Sequence, residues 1–328
     1  MLYYDDDGKT ISKEFSSLYG SQAMSIQNIT IIGMGALGTM FGTEIQAKLG
    51  PEHVSFLMDE ERFRKNSQKL YLVNGEPAKF RLITPDMASP ADLIIVSTKA
   101  TGLTSALKTM ESSVGPDTII ISAINGVRSE DILIDRFGAG HVIHAVAQGM
   151  DAAFFHYELT FRQPGVFCLG IIDPSMQEKL DELTVFFDKI DFPYILEADI
   201  MHRIWSKFML NVGINQACMV YGTGYGGCTK HGSEALMAMV SAMREAKLVA
   251  NAEGIDLTEK DLTDYVQLMR SLSPDSMPSM AQDRLNKKRT EVEEFAGTVI
   301  RIAEKHGILV PTNEYLYRRI KEIEAEFI

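Results

Sequence analysis

The sequence predicts a doubly wound α/β sheet followed by an all-helical second half. Three observations carry this reading. Short apolar runs alternate with helical stretches from Met24 to about Ile195, the pattern of a mostly parallel sheet covered by helices on both faces. Within that region Gly33-Met34-Gly35-Ala36-Leu37-Gly38 follows directly behind the β-branched run Asn28-Ile29-Thr30-Ile31-Ile32 and opens an apolar helix. After about Ala198 every periodic stretch is helical.

Ile29–Ile32 and Val54–Met58 read as the first two strands, then Ala91–Val96 with a helix from about Thr101, Thr118–Ser122 ending at Asn125-Gly126-Val127, and His141–Val146. Gly165–Ile171 and Phe192–Leu196 read as further strands that finish the sheet in antiparallel fashion. The second half reads as helices over Ile200–Val220, Ser233–Ala252, Glu259–Leu272, Pro278–His306 and Asn313–Phe327. Gly254 and Gly307 stand at helix C-termini, and Pro311-Thr312 reads as a break and N-cap. The expected organisation is an extension over residues 1–23, a dinucleotide-binding domain over 24–198 and a helical substrate domain over 199–328. Residues 1–23 carry Asp5-Asp6-Asp7, no basic n-region and no apolar run, so they read neither as a secretory signal nor as part of the chemistry.

The glycines divide the labour of a dinucleotide fingerprint. Gly33 allows the tight turn, Gly35 lets backbone N–H groups approach a pyrophosphate at the helix N-terminus, and Gly38 lets the helix pack closely. Met34, Ala36 and Leu37 complete the loop. Asp59 ends the second strand about 20 residues on, where an acidic residue can accept from a ribose 2′-hydroxyl.

A formal net charge of −12 argues against a nucleic-acid binder, which needs a basic face. No apolar run reaches the ~18 residues that span a bilayer. Cys168, Cys218 and Cys228 form no CxxC pair, as suits reduced thiols in the cytoplasm, and neither they nor the seven histidines show metal-ligand spacing, so no metal is expected.

In the second half, Lys207, Asn211 and Asn215 stand at i, i+4 and i+8, on one face of a helix whose other residues include Phe208, Leu210, Val212 and Ile214. A lysine and two amides on a mostly buried helix need partners, either a structural network or a polar cleft.

The chain resembles the ketopantoate reductase family from about Ser25 to about Glu324. The resemblance rests on Gly33–Gly38, Ser97-Thr98-Lys99-Ala100, Asn125-Gly126-Val127, Trp205-Ser206-Lys207 with Asn211 and Asn215, Pro278–Asp283, Thr290-Glu291 and His306–Pro311. It implies a Rossmann domain joined to a helical domain of the 6-phosphogluconate-dehydrogenase type, with the active site between them. It also implies reduction of 2-dehydropantoate to pantoate with NADPH, a step of pantothenate synthesis. By the same resemblance Lys207 is the catalytic lysine and Glu291 the active-site glutamate. Asn211, Asn215 and Ser279 bind substrate, and Lys99 and Asn125 lie beside the nicotinamide and substrate. Without the resemblance, Ser279 and Glu291 read as a helix N-terminal serine and a solvated glutamate.

Two departures from the family pattern bear on specificity. Members often carry a basic residue where Asp59 stands, so NADH also suits this chain, with Arg62, Arg64 and Lys65 close behind to meet a 2′-phosphate. Gln148–Phe155 replaces a shorter, more Gly/Thr-rich segment, which leaves the 2-oxo acid open. Two alternatives therefore stand beside the leading reading: a related reductase of another 2-oxo acid, and a dinucleotide-binding sensor without turnover. The partners expected are a small 2-oxo acid and, given the apolar helical half, a second copy of the chain.

Overall fold

The computed structural model describes residues 26–327; the extension over residues 1–23 lies outside them. In chain order the elements are β1 (Ile29–Ile32), α1 (Ala36–Leu49), β2 (Val54–Leu57), α2 (Glu60–Asn66), β3 (Tyr71–Val73), β4 (Glu76–Ala78), β5 (Arg81–Ile83), β6 (Leu93–Val96), α3 (Leu103–Met110), β7 (Ile119–Ser122), α4 (Ser129–Phe137), β8 (Val142–Gln148), β9 (Ala153–Phe155), β10 (Glu158–Thr160), β11 (Val166–Gly170), α5 (Gln177–Lys189) and β12 (Tyr194–Leu196). Then come α6 (Ile200–Tyr221), α7 (Tyr225–Thr229), α8 (Glu234–Ala252), α9 (Glu259–Ser271), α10 (Ser279–Leu285), α11 (Ala296–His306) and α12 (Pro311–Ala325). The chain forms two compact units. One holds the chain up to Ile124 with Arg128–Ile200; the other holds Asn125–Val127 and the chain from Met201 on.

The first unit is built on an eight-stranded sheet of order β12-β11-β8-β7-β6-β1-β2-β5. The strands from β5 to β8 are mutually parallel. β11 runs antiparallel to β8, as the sequence predicts, and β12 runs parallel to β11. Successive residues of the central strands face opposite sides. Ile31, Ile95 and Ile121 join Phe41, Leu183 and Phe187 under α1 and α5, whereas Ile32, Ile94 and Ile120 join Leu103, Met110 and Leu133 under α3 and α4. A sheet buried on both faces explains why its strands read as unbroken apolar runs rather than alternating ones.

The sequence reading missed a second, four-stranded sheet, β4-β3-β10-β9. Its strands are three residues long, β4 contains Pro77, and β10 pairs with β3 across a wide gap in sequence. No local periodicity marks such pieces. Two-residue turns close its hairpins, Asn74-Gly75 and His156-Tyr157, all four residues at positive φ.

A buried polar chain runs through the first unit. Ile124 N–H donates to Ser122 Oγ at 3.2 Å, Ser122 Oγ to Ser129 Oγ at 2.9 Å, and Ser129 Oγ to Glu130 Oε2 at 2.7 Å. Burial pushes the Glu130 carboxyl up to about 7, against hydrogen bonds from Ser129 and from the backbone.

Among the described residues, every regular element of the second unit from Met201 on is a helix. Gly307 is the left-handed C-cap of α11, and Gly254 follows the last turn of α8. Two expectations need correction. Pro278–His306 is not one helix: α10 ends at Leu285, the chain turns at Asn286 and Lys287, the latter at φ 51°, and a non-helical link runs to α11. Nor does Thr312 cap the last helix. Pro311 occupies its first turn, and the buried Glu245 carboxylate accepts the N–H groups of Thr312 and Asn313, each at 2.8 Å. A carboxylate at a helix N-terminus does the work of a cap from a distance.

A Cβ on Gly38 would lie 1.9 Å from the Gly33 carbonyl oxygen, whereas one on Gly35 would meet nothing within 4 Å. We expect Gly38→Ala to cost about 1–3 kcal/mol, as overpacking does, and Gly35→Ala less than about 1 kcal/mol; melting temperatures of the two variants check this. Glu130 generates a pH prediction. Its carboxyl holds a proton in the folded chain at pH values where the unfolded chain has lost it. The group's stabilisation is therefore complete near pH 4.5 and below, and is lost as pH rises to about 7. Denaturant titrations across this window should show about 3 kcal/mol of decline in wild type that Glu130→Gln lacks; parallel curves would show that Glu130 does not hold the proton.

Candidate active site

The sheet order reverses between β1 and β6, and ligands of open α/β sheets bind at the carboxyl ends of the strands at such a point. The turn from β1 to α1 lies there. Gly33 has φ 108°, and a Cβ on it would come within 2.8 Å of the Ser97 and Thr98 backbone. Ser97, just past β6, ties the strand ends together: its hydroxyl lies 3.2 Å from the Ile32 carbonyl oxygen and 3.1 Å from that of Gly33. Gly35 is the exposed N-cap of α1 and offers no side chain to its free N–H groups, and the first turn holds no acidic residue. Ala36 and Leu37 begin the helix, and Met34 and Leu37 pack on the core beneath. An open space in front of uncapped N–H groups at a fourteen-residue helix fits a pyrophosphate.

Asp59 stands at the end of β2, and its carboxylate does local work. Oδ1 accepts the Arg62 N–H at 2.8 Å as the N-cap of α2, and Oδ2 lies 3.6 Å from Arg62 Nε. The sequence Asp59-Glu60-Glu61 is itself an N-terminal helix signal, and it overlaps the fingerprint position. Lys99 is exposed and precedes a short 3-10 turn at Ala100–Gly102.

The helical unit brings together most of the polar residues predicted for the substrate. Lys207 Nζ donates to Asn125 Oδ1 at 3.0 Å. Both residues are half-buried. Two turns further along α6, Asn215 Nδ2 donates to Asn211 Oδ1 at 3.2 Å. Asn215 Oδ1 accepts from Ser279 Oγ at 3.1 Å and from the Met280 N–H at 3.2 Å. Asn215 is 4% exposed, so its amide works mainly inside this string and holds the start of α10, where Ser279 lies exposed. The far end of α10 is held too: Arg284 donates to the Met219 and Val220 carbonyl oxygens at the end of α6. Sequence reasoning missed this clamp, because an arginine near a helix end has no local mark of its target.

Glu291 is half-buried in the non-helical link between α10 and α11. Its carbonyl oxygen accepts from the Glu294 and Phe295 N–H groups at 2.9 and 3.2 Å. The helical face on which spacing places Lys207, Asn211 and Asn215 thus becomes a line of hydrogen-bonding groups with an ammonium at one end. Such a line can take a hydroxyl or carbonyl oxygen and stabilise negative charge on it. Among the described residues no group of three or more His, Cys, Asp and Glu side chains could hold a metal ion, and no helix is long and apolar enough to cross a membrane.

Residues 29–154 match the family described as ketopantoate reductase PanE/ApbA, and residues 199–324 match its C-terminal domain. A 2-dehydropantoate 2-reductase of Streptococcus pyogenes is 26% identical over 289 residues, covering 86% of this chain and 93% of the relative. One of Escherichia coli O157:H7 is 26% identical over 314 residues, covering 91% and 96%. Among solved structures, D-mandelate dehydrogenase with NADH and anilino(oxo)acetate superposes with a TM-score of 0.80 at 20% identity, covering 92% of this chain and 99% of that one. A dimeric ketopantoate reductase from Staphylococcus aureus superposes at 0.75 and 21% identity, covering 92% and 100%. Two family matches that together span most of the chain, on a doubly wound sheet unit and a helical unit, place it: the chain belongs to the ketopantoate reductase family.

Proposed function

We propose that this protein is a 2-dehydropantoate 2-reductase, which reduces the ketone of 2-dehydropantoate to pantoate at the expense of a reduced nicotinamide dinucleotide. The observation that carries the reading is the Lys207–Asn125 hydrogen bond of 3.0 Å on the helix that also presents Asn211 and Asn215. A dinucleotide sensor has no need of an ammonium held by a neutral amide beside a hydrogen-bonding string. The first unit is the dinucleotide-binding domain and the second the substrate domain, and the protein assembles as a homodimer.

The β1–α1 turn, with Gly33, Met34, Gly35, Ala36, Leu37 and Gly38, would hold the pyrophosphate, and Asp59 and Lys99 would flank the rest of the dinucleotide. When bound, the reduced nicotinamide supplies a hydride to the substrate carbon. This chain's residues handle the charge that results. Lys207 donates a hydrogen bond to the carbonyl oxygen, stabilises the negative charge that develops there and delivers the proton. Asn125 orients the ammonium. Glu291 accepts from a substrate hydroxyl, Asn211 holds a hydroxyl, and the exposed Ser279 hydroxyl exchanges its bond to Asn215 for one to the carboxylate. Asn215 contributes chiefly by fixing Asn211 and the start of α10. The likeness to D-mandelate dehydrogenase concerns the fold, and a scaffold does not settle its substrate. A panel of 2-oxo acids, followed at the reduced-nicotinamide absorbance, tests the reading: a strong preference for a 2-oxo acid other than 2-dehydropantoate would refute it.

Lys207→Ala should reduce kcat about 10²–10⁴-fold, the usual cost of losing a positioned general acid, while cofactor binding survives. Steady-state kinetics with a cofactor-binding titration checks both halves. For Asp59, asparagine is as good an N-cap as aspartate, so Asp59→Asn removes charge and keeps the start of α2. The ratio of kcat/KM for NADPH over NADH should rise by about tenfold as repulsion of a 2′-phosphate is relieved, with an unchanged melting temperature. An unmoved ratio would confine Asp59 to its capping role.

A further inference from the structure

Three polar side chains on one face of α12 reach the same short stretch of chain. Tyr317 Oη donates to Glu293 Oε1 at 2.7 Å, and Lys321 Nζ to the same oxygen at 3.2 Å. Glu324 Oε1 accepts both the N–H and the hydroxyl of Thr290, each at 2.7 Å. Tyr317, Lys321 and Glu324 are spaced i, i+4 and i+7, the repeat that aligns side chains on one helical face. The stretch they hold is the link between α10 and α11. Thr290 Oγ1 in turn accepts from the Val292 N–H at 3.3 Å, so the backbone is fixed immediately before and after Glu291.

Local considerations disfavour a carboxylate at position 324. It stands in the last turn of α12, where the helix's own carbonyl groups repel negative charge. The residue is only 8% exposed, which strips the carboxylate of most of its hydration. Its Oε2 lies 3.9 Å from Lys321 Nζ, a loose ion pair. The short charge-assisted bonds to Thr290 are what offset these costs. Packing alone would be served by an apolar residue here.

We propose that Glu324 is a positioning residue for Glu291: by anchoring Thr290, it sets the direction in which the next side chain leaves the link. The inference rests on the assignment of Glu291 to the active site. Glu324 acts through the backbone of Thr290 and takes no part in the chemistry itself.

The test compares Glu324→Ala, Glu324→Gln, Glu291→Ala and the double variant Glu291→Ala with Glu324→Ala. Turnover of 2-dehydropantoate with NADPH and NADH is measured along with melting temperature and amide hydrogen exchange at Thr290 and Val292. In Glu324→Ala those two amides should exchange faster, and kcat should fall about 10–100-fold, the scale of a misplaced group, with the KM for cofactor unchanged. Glu324→Gln keeps an oxygen that accepts both bonds and should stay within about threefold of wild type. In the Glu291→Ala background the alanine substitution at 324 should add no further loss, because its effect runs through the missing side chain. Independent, multiplying losses in the double variant, or wild-type kcat in Glu324→Ala, would overturn the inference. Normal turnover of the Glu291→Ala single variant is a separate failure: it removes Glu291 from the site and the inference with it. Should Glu324→Ala not fold, Thr290→Val deletes the hydroxyl that donates to Glu324 and accepts from Val292, leaves the Thr290 N–H bond in place and carries the same comparison, with an expected loss in kcat of about threefold to tenfold.

Discussion

A long helix that is mostly buried must satisfy its polar side chains from inside the unit that buries it, and α6 organises the helical unit under that constraint. It runs for 22 residues, and Trp205, Phe208, Met209, Val212 and Met219 seal most of its surface. The polar groups on it therefore recruit partners from distant parts of the chain. Lys207 finds Asn125, and Asn211 and Asn215 find each other and the start of α10. Gln216 donates to Asn313, whose own amide donates to Glu245, the carboxylate that caps α12. Each of these bonds replaces a water that a buried group cannot reach, so each fixes a neighbouring element at a defined distance. The candidate site is the part of this network that is left half-exposed.

The sheet unit obeys a different constraint, that of close approach between backbone segments. α1 begins so near the end of β1 that one methylene at Gly38 would meet the Gly33 carbonyl oxygen. Ser97 stitches the same strand end to β6. The uncapped N-terminus of α1 is held in place by these contacts and does not depend on a side chain of its own. That leaves its N–H groups free for an anion, which is how a stability requirement and a binding requirement coincide in one turn.

Family membership does not by itself fix the substrate. The matches run over both units, and the scaffold is shared with proteins that act on different 2-oxo and 2-hydroxy acids by their names. The chain also carries a capping aspartate at 59, a small second sheet built from β3 and β4 with β9 and β10, and the grip of α12 on the link that holds Glu291.

The sequence by itself determined the class of the fold, because glycine spacing, β-branched runs and the 3.6-residue stripe through Lys207, Asn211 and Asn215 are local patterns with local physical causes. It also named Gly33, Gly35 and Gly38 in roles that the geometry of the turn permits. It could not place the small second sheet, whose two short hairpins of three-residue strands are joined by a β3–β10 pairing across a wide gap in sequence. It read one helix where Lys287 adopts positive φ and Thr290 turns its N–H toward Glu324. Nor could it show that Asn215 is bonded mainly within the protein, or that Glu245 and Glu324 are buried acceptors. Those facts were decided by tertiary structure, since a hydrogen bond between residues 34 or 68 positions apart leaves no periodicity in the chain that makes it.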